Sequence, residues 1–180
     1  MYRINSIIHI FLLLAFGCYT DIALAQTGSH ITGSPHNAPE TVVWFSEPRE
    51  ITDIRLLLQA GKKQEAIELA RKYMNKLQGI AGLEAQVFRY YGLNALCAAL
   101  TSAGQLHEAI ENCSRAIKMF PKRWQALNNR AVAYYISGQT ELALQDYNLA
   151  LSQVQESKPL AELIQHNIDL VNAKKAGTGQ

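Results

Sequence analysis

Charge of one sign is nearly absent from the balance of this chain. In 180 residues, 17 basic side chains against 15 acidic ones leave a formal net charge of +2. That balance is too neutral to point to a nucleic-acid-binding surface from charge alone. Long apolar runs are missing as well. Ile7 to Phe16, interrupted by His9, makes about ten residues, whereas a bilayer span needs about 20. Catalytic signatures are equally sparse. There is no His-Glu-x-x-His, no Gly-x-x-x-x-Gly-Lys and no Gly-x-Ser-x-Gly. Of five histidines, His9, His30 and His36 precede the helical region, and His107 and His166 stand alone on predicted helices. Ser114 has no identifiable base. These absences point away from an enzyme, a metal site or a cofactor, and no small-molecule substrate is indicated.

What is present at the N-terminus reads as an address. Arg3, the apolar run and Ala23-Leu24-Ala25 before Gln26 make a basic start, an apolar stretch and a small-x-small site, the pattern of a secretory signal peptide over residues 1–25. The expected location is periplasmic or secreted. An alternative rests on Ala15-Phe16-Gly17-Cys18, which resembles a bacterial lipoprotein cleavage box, with Phe16 bulkier than that box favours. In that reading Cys18 carries lipid and anchors the chain to the membrane. Residues 26–40 are rich in Gly, Ser, Thr and Pro without apolar periodicity, and residues 26–45 are read as a flexible tether. Within it, Thr41-Val42-Val43-Trp44-Phe45 favours β structure. It either pairs with a partner's strand edge or covers the first helix.

From residue 46 to residue 175 the pattern is helical, and it repeats. Sliding residues 90–118 onto 124–152, a shift of 34, pairs Leu93 with Leu127, Asn94 with Asn128 and Ala99 with Ala133. It also pairs Gly104 with Gly138, Gln105 with Gln139, Ala109 with Ala143 and Ala116 with Ala150. A fixed period of this length in helical composition predicts stacked helix-turn-helix units. Gly61, Ala66 and Tyr73 keep the same offsets one unit earlier, but Gly61 and Gly104 are 43 apart, so the first connection is longer. The turn glycines supply a left-handed residue at the helix end. The alanines five and twelve residues later mark close helix crossings. An amphipathic helix beginning near Pro159 and carrying Leu160, Leu163, Ile164, Ile168 and Val171 caps the stack. The tail of residues 176–180 is expected to be disordered.

These residues resemble the tetratricopeptide repeat family. The third unit carries Ala131, Tyr134, Gly138, Ala143, Tyr147 and Ala150, and the second carries Gly104, Ala109, Ala116 and Pro121. The resemblance spans about residues 48–155. It implies an all-α superhelix, a solenoid of about three hairpins plus a capping helix, in an exported bacterial protein. It also implies a concave groove for a peptide or protein segment, lined by Tyr91, Asn94, Ala98 and Thr101 in the second unit. In the third unit the lining would be Gln125, Asn128, Val132 and Tyr135. The repeated pair Asn94 and Asn128 stands out, since an amide both donates to and accepts from an extended backbone. Asn129 resembles one element of the family's carboxylate clamp, but the accompanying lysines are absent, which argues against a receptor for acidic chaperone tails.

Cys97 and Cys113 lie seven residues before Gly104 and nine after it, nearly opposite across a hairpin. They either form a disulfide, as an oxidising compartment allows, or remain two small buried hydrophobes. The sequence thus predicts a non-catalytic protein-interaction scaffold of the cell envelope. Its rivals are a lipoprotein subunit held through Cys18 and an accessory subunit of an enzyme.

Overall fold

The computed structural model describes residues 47–178. The signal peptide, Cys18, the tether and the β-favouring run at 41–45 lie outside the described residues. Seven helices follow one another among those described: α1 (Arg49–Gln59), α2 (Lys63–Lys76), α3 (Leu83–Ser102), α4 (Leu106–Met119), α5 (Trp124–Ile136), α6 (Thr140–Ser152) and α7 (Lys158–Thr178). No strand occurs among these residues. The last helix runs three residues past Lys175, so residues 176–178 are helical where a disordered tail was expected.

The sharp reversals follow from the chain's chemistry. At the end of α3, Gly104 takes φ +79°, a left-handed backbone that costs a side-chain-bearing residue energy. This lets Gly104 N–H donate to Thr101 O at 3.1 Å and Gln105 N–H to Leu100 O at 2.9 Å, filling carbonyls the helix end leaves open. The same two bonds recur after α1, from Gly61 to Leu58 and Lys62 to Leu57. They recur again after α5, from Gly138 to Tyr135 and Gln139 to Tyr134. One turn chemistry is therefore used three times, and each time it folds a helix back on its predecessor.

The alanines do what the spacing implied. Ala66, Ala109, Ala143, Ala116 and Ala150 all have 0% exposure, so at each crossing the backbones approach with only a methyl between them. Tyr73 fills the corresponding place in the first unit, where α3 answers with Gly92. A β-carbon there would come within 3.0 Å of the Tyr73 ring and closer still to the Met74 sulfur. A large residue on one helix is accommodated by the absence of a side chain on the other.

Helices α1, α3 and α5 also touch one another across successive hairpins, so they form one layer of the stack. The core divides accordingly. One cluster joins α1, α2, α3 and α4 around Ile54, Ile67, Cys97 and Leu100, and a second joins α5, α6 and α7 around Val132, Tyr147, Ile164 and Val171. Ala133 on α5 reaches into the first cluster and ties the two together. The outward residues of α7, among them Glu162, Gln165, His166 and Asp169, are exposed and polar, as a terminal helix requires. The architecture is an α-α solenoid.

Candidate functional site

The candidate binding stripe runs along the layer made by α3 and α5. On α3, Tyr91 and Asn94 are half-buried, and on α5 so is Gln125. Five other residues expected on an open groove are instead covered: Ala98 at 1%, Thr101 at 1%, Asn128 at 0%, Val132 at 2% and Tyr135 at 7%. Each has a packing reason. Thr101 turns its hydroxyl back onto Cys97 O at 2.8 Å. Val132 and Tyr135 belong to the apolar cluster that seats α7, and the Lys174 ammonium lies 4.3 Å from the Tyr135 ring centre.

The two repeated asparagines bond from one first helix to the next. Asn94 Oδ1 accepts from Asn129 Nδ2 of α5 at 2.9 Å. Asn128 Oδ1 accepts from Asn167 Nδ2 of α7 at 3.2 Å. Asn129, the residue that resembled a clamp element, is 4% exposed and serves this stacking bond. Repetition at a shift of 34 signalled a repeated contact, and the contact is between repeats.

Around the accessible end of the stripe lies an arrangement that sequence reasoning missed. The Arg123 guanidinium sits 4.8 Å from the Tyr90 ring centre, 5.3 Å from Tyr91 and 5.1 Å from Phe120. Tyr90 meets Tyr91 and Phe120 edge-on, at 5.8 and 5.5 Å, which suits the charge distribution of aromatic rings. Tyr90 O–H donates to Gln125 Oε1 at 3.3 Å, so one polar group of the stripe is fixed by the aromatic cluster. Burial holds the Tyr90 phenol above its ordinary range, although Arg123 pulls the other way. Arg123 follows Pro121 in a loop of no repeating pattern, so no periodic signal could have announced it.

A second polar assembly is structural. Arg130 Nε and Nη2 donate to the two carboxylate oxygens of Asp146 at 2.7 and 2.8 Å, and Arg130 Nη1 donates to Ser114 Oγ at 2.9 Å. Asp146 is 3% exposed. One guanidinium thereby links α4, α5 and α6 with directional, charge-assisted bonds. Ser114, which the sequence left without a base, is a bridging hydroxyl.

Cys97 and Cys113 are joined by a disulfide, with Cα atoms 5.4 Å apart and a separation of 16 positions in sequence. Both are fully buried in the first core cluster. No group of His, Cys, Asp and Glu that could hold a metal occurs among the described residues. No described helix is long and apolar enough to cross a membrane.

Known proteins share this pattern. The tetratricopeptide repeat family matches residues 99–159, from the end of α3 to the start of α7. Over 54 residues, 30% of this chain and 30% of the relative, the chain is 46% identical to tetratricopeptide repeat protein 36 of Caenorhabditis elegans. Over 161 residues it is 26% identical to a cobyric acid synthase of Desulforamulus reducens, covering 82% of this chain and 29% of that protein. The chain thus spans about three-tenths of the length of both relatives. Residues 99–159, the α3–α7 stretch around the Gly104 and Gly138 turns, are thus similar to tetratricopeptide repeats, units that generally mediate contacts between proteins.

Proposed function

We propose that this chain is a non-catalytic scaffold that binds a peptide or protein segment along the α3–α5 face. The observation that carries the reading is the half-buried pair Tyr91 and Gln125, with the Asn94 amide beside them already committed to Asn129, set beside the rings that hold Arg123. Aromatic surface with adjacent amides contributes contact area and backbone hydrogen bonding at low entropy cost, the composition favoured at recognition surfaces. The stack holds these groups on rigid helices, so binding need not order the receptor. The partner segment meets a strip that is narrower than the eight-residue groove expected from sequence.

The place of action proposed is the cell envelope or beyond it. A disulfide between two buried cysteines is the usual product of an oxidising compartment, which agrees with a secretory leader over residues 1–25. Processing after Ala25 is favoured over lipidation of Cys18 because Phe16 is too bulky for the lipoprotein box.

Photoreactive residues placed at Tyr91 and Gln125, with Glu68 and Glu111 as exposed controls on α2 and α4, test the binding face. Crosslinks to one partner from the first two sites and none from the controls support it. An equal yield from all four sites counts against it. Fractionation of cells separates soluble from membrane-held protein, and replacing Cys18 by serine releases the chain only if lipid holds it.

A further inference from the structure

The strip on α3 and α5 lies in line with the point where the described chain begins. Tyr91 and Gln125 are 34 positions apart, and the shift of 43 that carries Gly104 onto Gly61 carries Tyr91 onto Pro48. Pro48, Tyr91 and Gln125 therefore hold one position of the repeat in the layer where α1 touches α3 and α3 touches α5. Pro48 is extended, with ψ 142°, so the chain enters α1 with no helical turn before it. Glu47 pairs with Arg55, the seventh residue of α1, which draws residue 47 alongside the helix. By the same shift Arg55 matches Ala98, so this is the side of α1 on which a groove was expected. The Tyr73 phenol is within electrostatic reach of both Glu50, in the first turn of α1, and Tyr91, so the entry point and the strip are neighbours.

The surroundings are weakly positive. Glu47 is paired with Arg55 and Glu50 with Lys76, and Arg123 lies over the rings of Tyr90, Tyr91 and Phe120. Arg49 and Lys122 are exposed, and the first turn of α5, which holds Gln125, has no side-chain cap. Gln125 Oε1 is taken by Tyr90 O–H, while its Nε2 has no hydrogen bond among the described residues and keeps access to solvent. Tyr91 adds half a ring of open surface. An extended, uncharged, aromatic segment fits these groups, its carbonyl oxygens facing donors and its side chains the ring. Thr41-Val42-Val43-Trp44-Phe45 is such a segment, and Glu40 ahead of it suits the nearby cations. Residues 41–46, extended at about 3.3 Å each, span about 20 Å, and neighbouring helices stand about 10 Å apart. The run therefore reaches from Pro48 past Tyr91 to Gln125.

We infer that residues 41–45 of the same chain lie across Tyr91 and Gln125 and occupy the strip until a partner displaces them. This rests on the reading of the α3–α5 face as a binding strip. Because the segment is attached to α1, even a weak contact is filled. At an effective concentration of about 1 mM, a segment with an intrinsic dissociation constant of about 0.1 mM holds the strip about nine-tenths of the time. A partner then binds about tenfold more weakly than it would to the open strip.

Nuclear magnetic resonance of the full chain tests this. The Trp44 ring should show Overhauser contacts to the Tyr91 ring, and the double variant Trp44→Ala, Phe45→Ala should move the Gln125 side-chain amide signal. A capped peptide of residues 39–46 should bind that variant about tenfold more tightly than it binds wild type. The inference is overturned if Trp44 instead contacts Leu56, the 57% exposed leucine of α1. It is overturned as well if the contacts arise only between labelled and unlabelled copies, which makes a second copy the occupant, or if wild type and variant bind the peptide equally. Trp44 without contacts, in a protein whose Tyr91 and Gln125 still crosslink one partner, removes this inference and leaves the binding reading standing. Trp44 held on Tyr91, with no partner crosslinked even in the double variant, removes the binding reading and supports the intramolecular contact.

Discussion

Removing the Cys97–Cys113 bridge gives the sharpest test of how this stack holds together. The bond closes a loop of 16 positions between α3 and α4, and in the chain-entropy account such a loop restricts the unfolded chain by about 3 kcal/mol. For a folded region of this length, that corresponds to a fall of about 10 °C in melting temperature. Alanine at either cysteine also removes a buried sulfur, so a single variant confounds lost packing with lost closure. A double-mutant cycle separates them. Cys97→Ala and Cys113→Ala each abolish the bridge, so in the double variant the closure term is lost once and the packing terms twice. Urea unfolding of all four proteins should give a coupling of about 3 kcal/mol between the two positions. The single variants should also show larger m-values, because their unfolded chains expand further. Since both cysteines are fully buried, a reductant should leave the bridge of the folded wild type intact until the hairpin opens. Single-variant effects that simply add in the double variant would refute the reasoning.

The packing sets four further outcomes. Asp146→Ala leaves the Arg130 guanidinium half-buried without its carboxylate and should cost about 3 kcal/mol in urea unfolding, well above the cost of Ser114→Ala. Gly92→Ala should destabilise by about 1 kcal/mol despite alanine's better helix propensity, because crowding against the Tyr73 ring outweighs it; a gain in stability would show that α2 can yield. Gly104→Ala forces a methyl-bearing residue to φ +79° and should cost about 1 kcal/mol, read as a lower urea midpoint. Burial raises the phenols of Tyr73, Tyr90 and Tyr147 above their ordinary value near 10. The folded state therefore keeps protons that the unfolded state releases, and stability is intact below pH 10 and lost as pH rises beyond it. The phenolate absorbance of these three among the eight tyrosines should therefore appear only together with the loss of helical circular dichroism, and ionisation of all eight near pH 10 in a fully helical protein would contradict this.

The parts of the fold legible in the sequence are those where one residue type has one physical use. Gly61, Gly104 and Gly138 mark reversals because only glycine takes that backbone cheaply, and all three adopt it with the same pair of hydrogen bonds. Ala109 and Ala143 mark crossings because larger side chains would separate the helices, and both are fully buried. The limits of α3 follow from Gly82 and Gly104 in the same way. The pairing of Cys97 with Cys113 was half legible: their spacing placed them opposite one another, but burial as free thiols fits the same spacing. The Arg123 cluster was illegible. It is built from loop residues brought against a helix distant in sequence, and no periodicity records such a meeting.

The stripe on α3 and α5 shows why a repeat is a poor guide to which surface binds. In a solenoid every first helix has three environments: its own hairpin partner, the neighbouring first helix and the open face. The turn glycines and crossing alanines identify the first environment. Nothing in one sequence separates the other two, because a residue that recurs for stacking recurs with the same period as one that recurs for binding. Asn94 and Asn128 are that case. Their amides could face a partner's backbone or the next helix, and both bond to the next helix, through Asn129 and Asn167. The distinction lies in the residue that each of them meets. The one that α5 presents 35 positions after Asn94 is an asparagine, and so is the one that α7 presents 39 positions after Asn128. Complementary amides on successive first helices are a sign of stacking, whereas Tyr91 and Gln125, which the shift of 34 brings into register, are different residues. Binding chemistry in this chain is therefore to be sought where the units differ from each other.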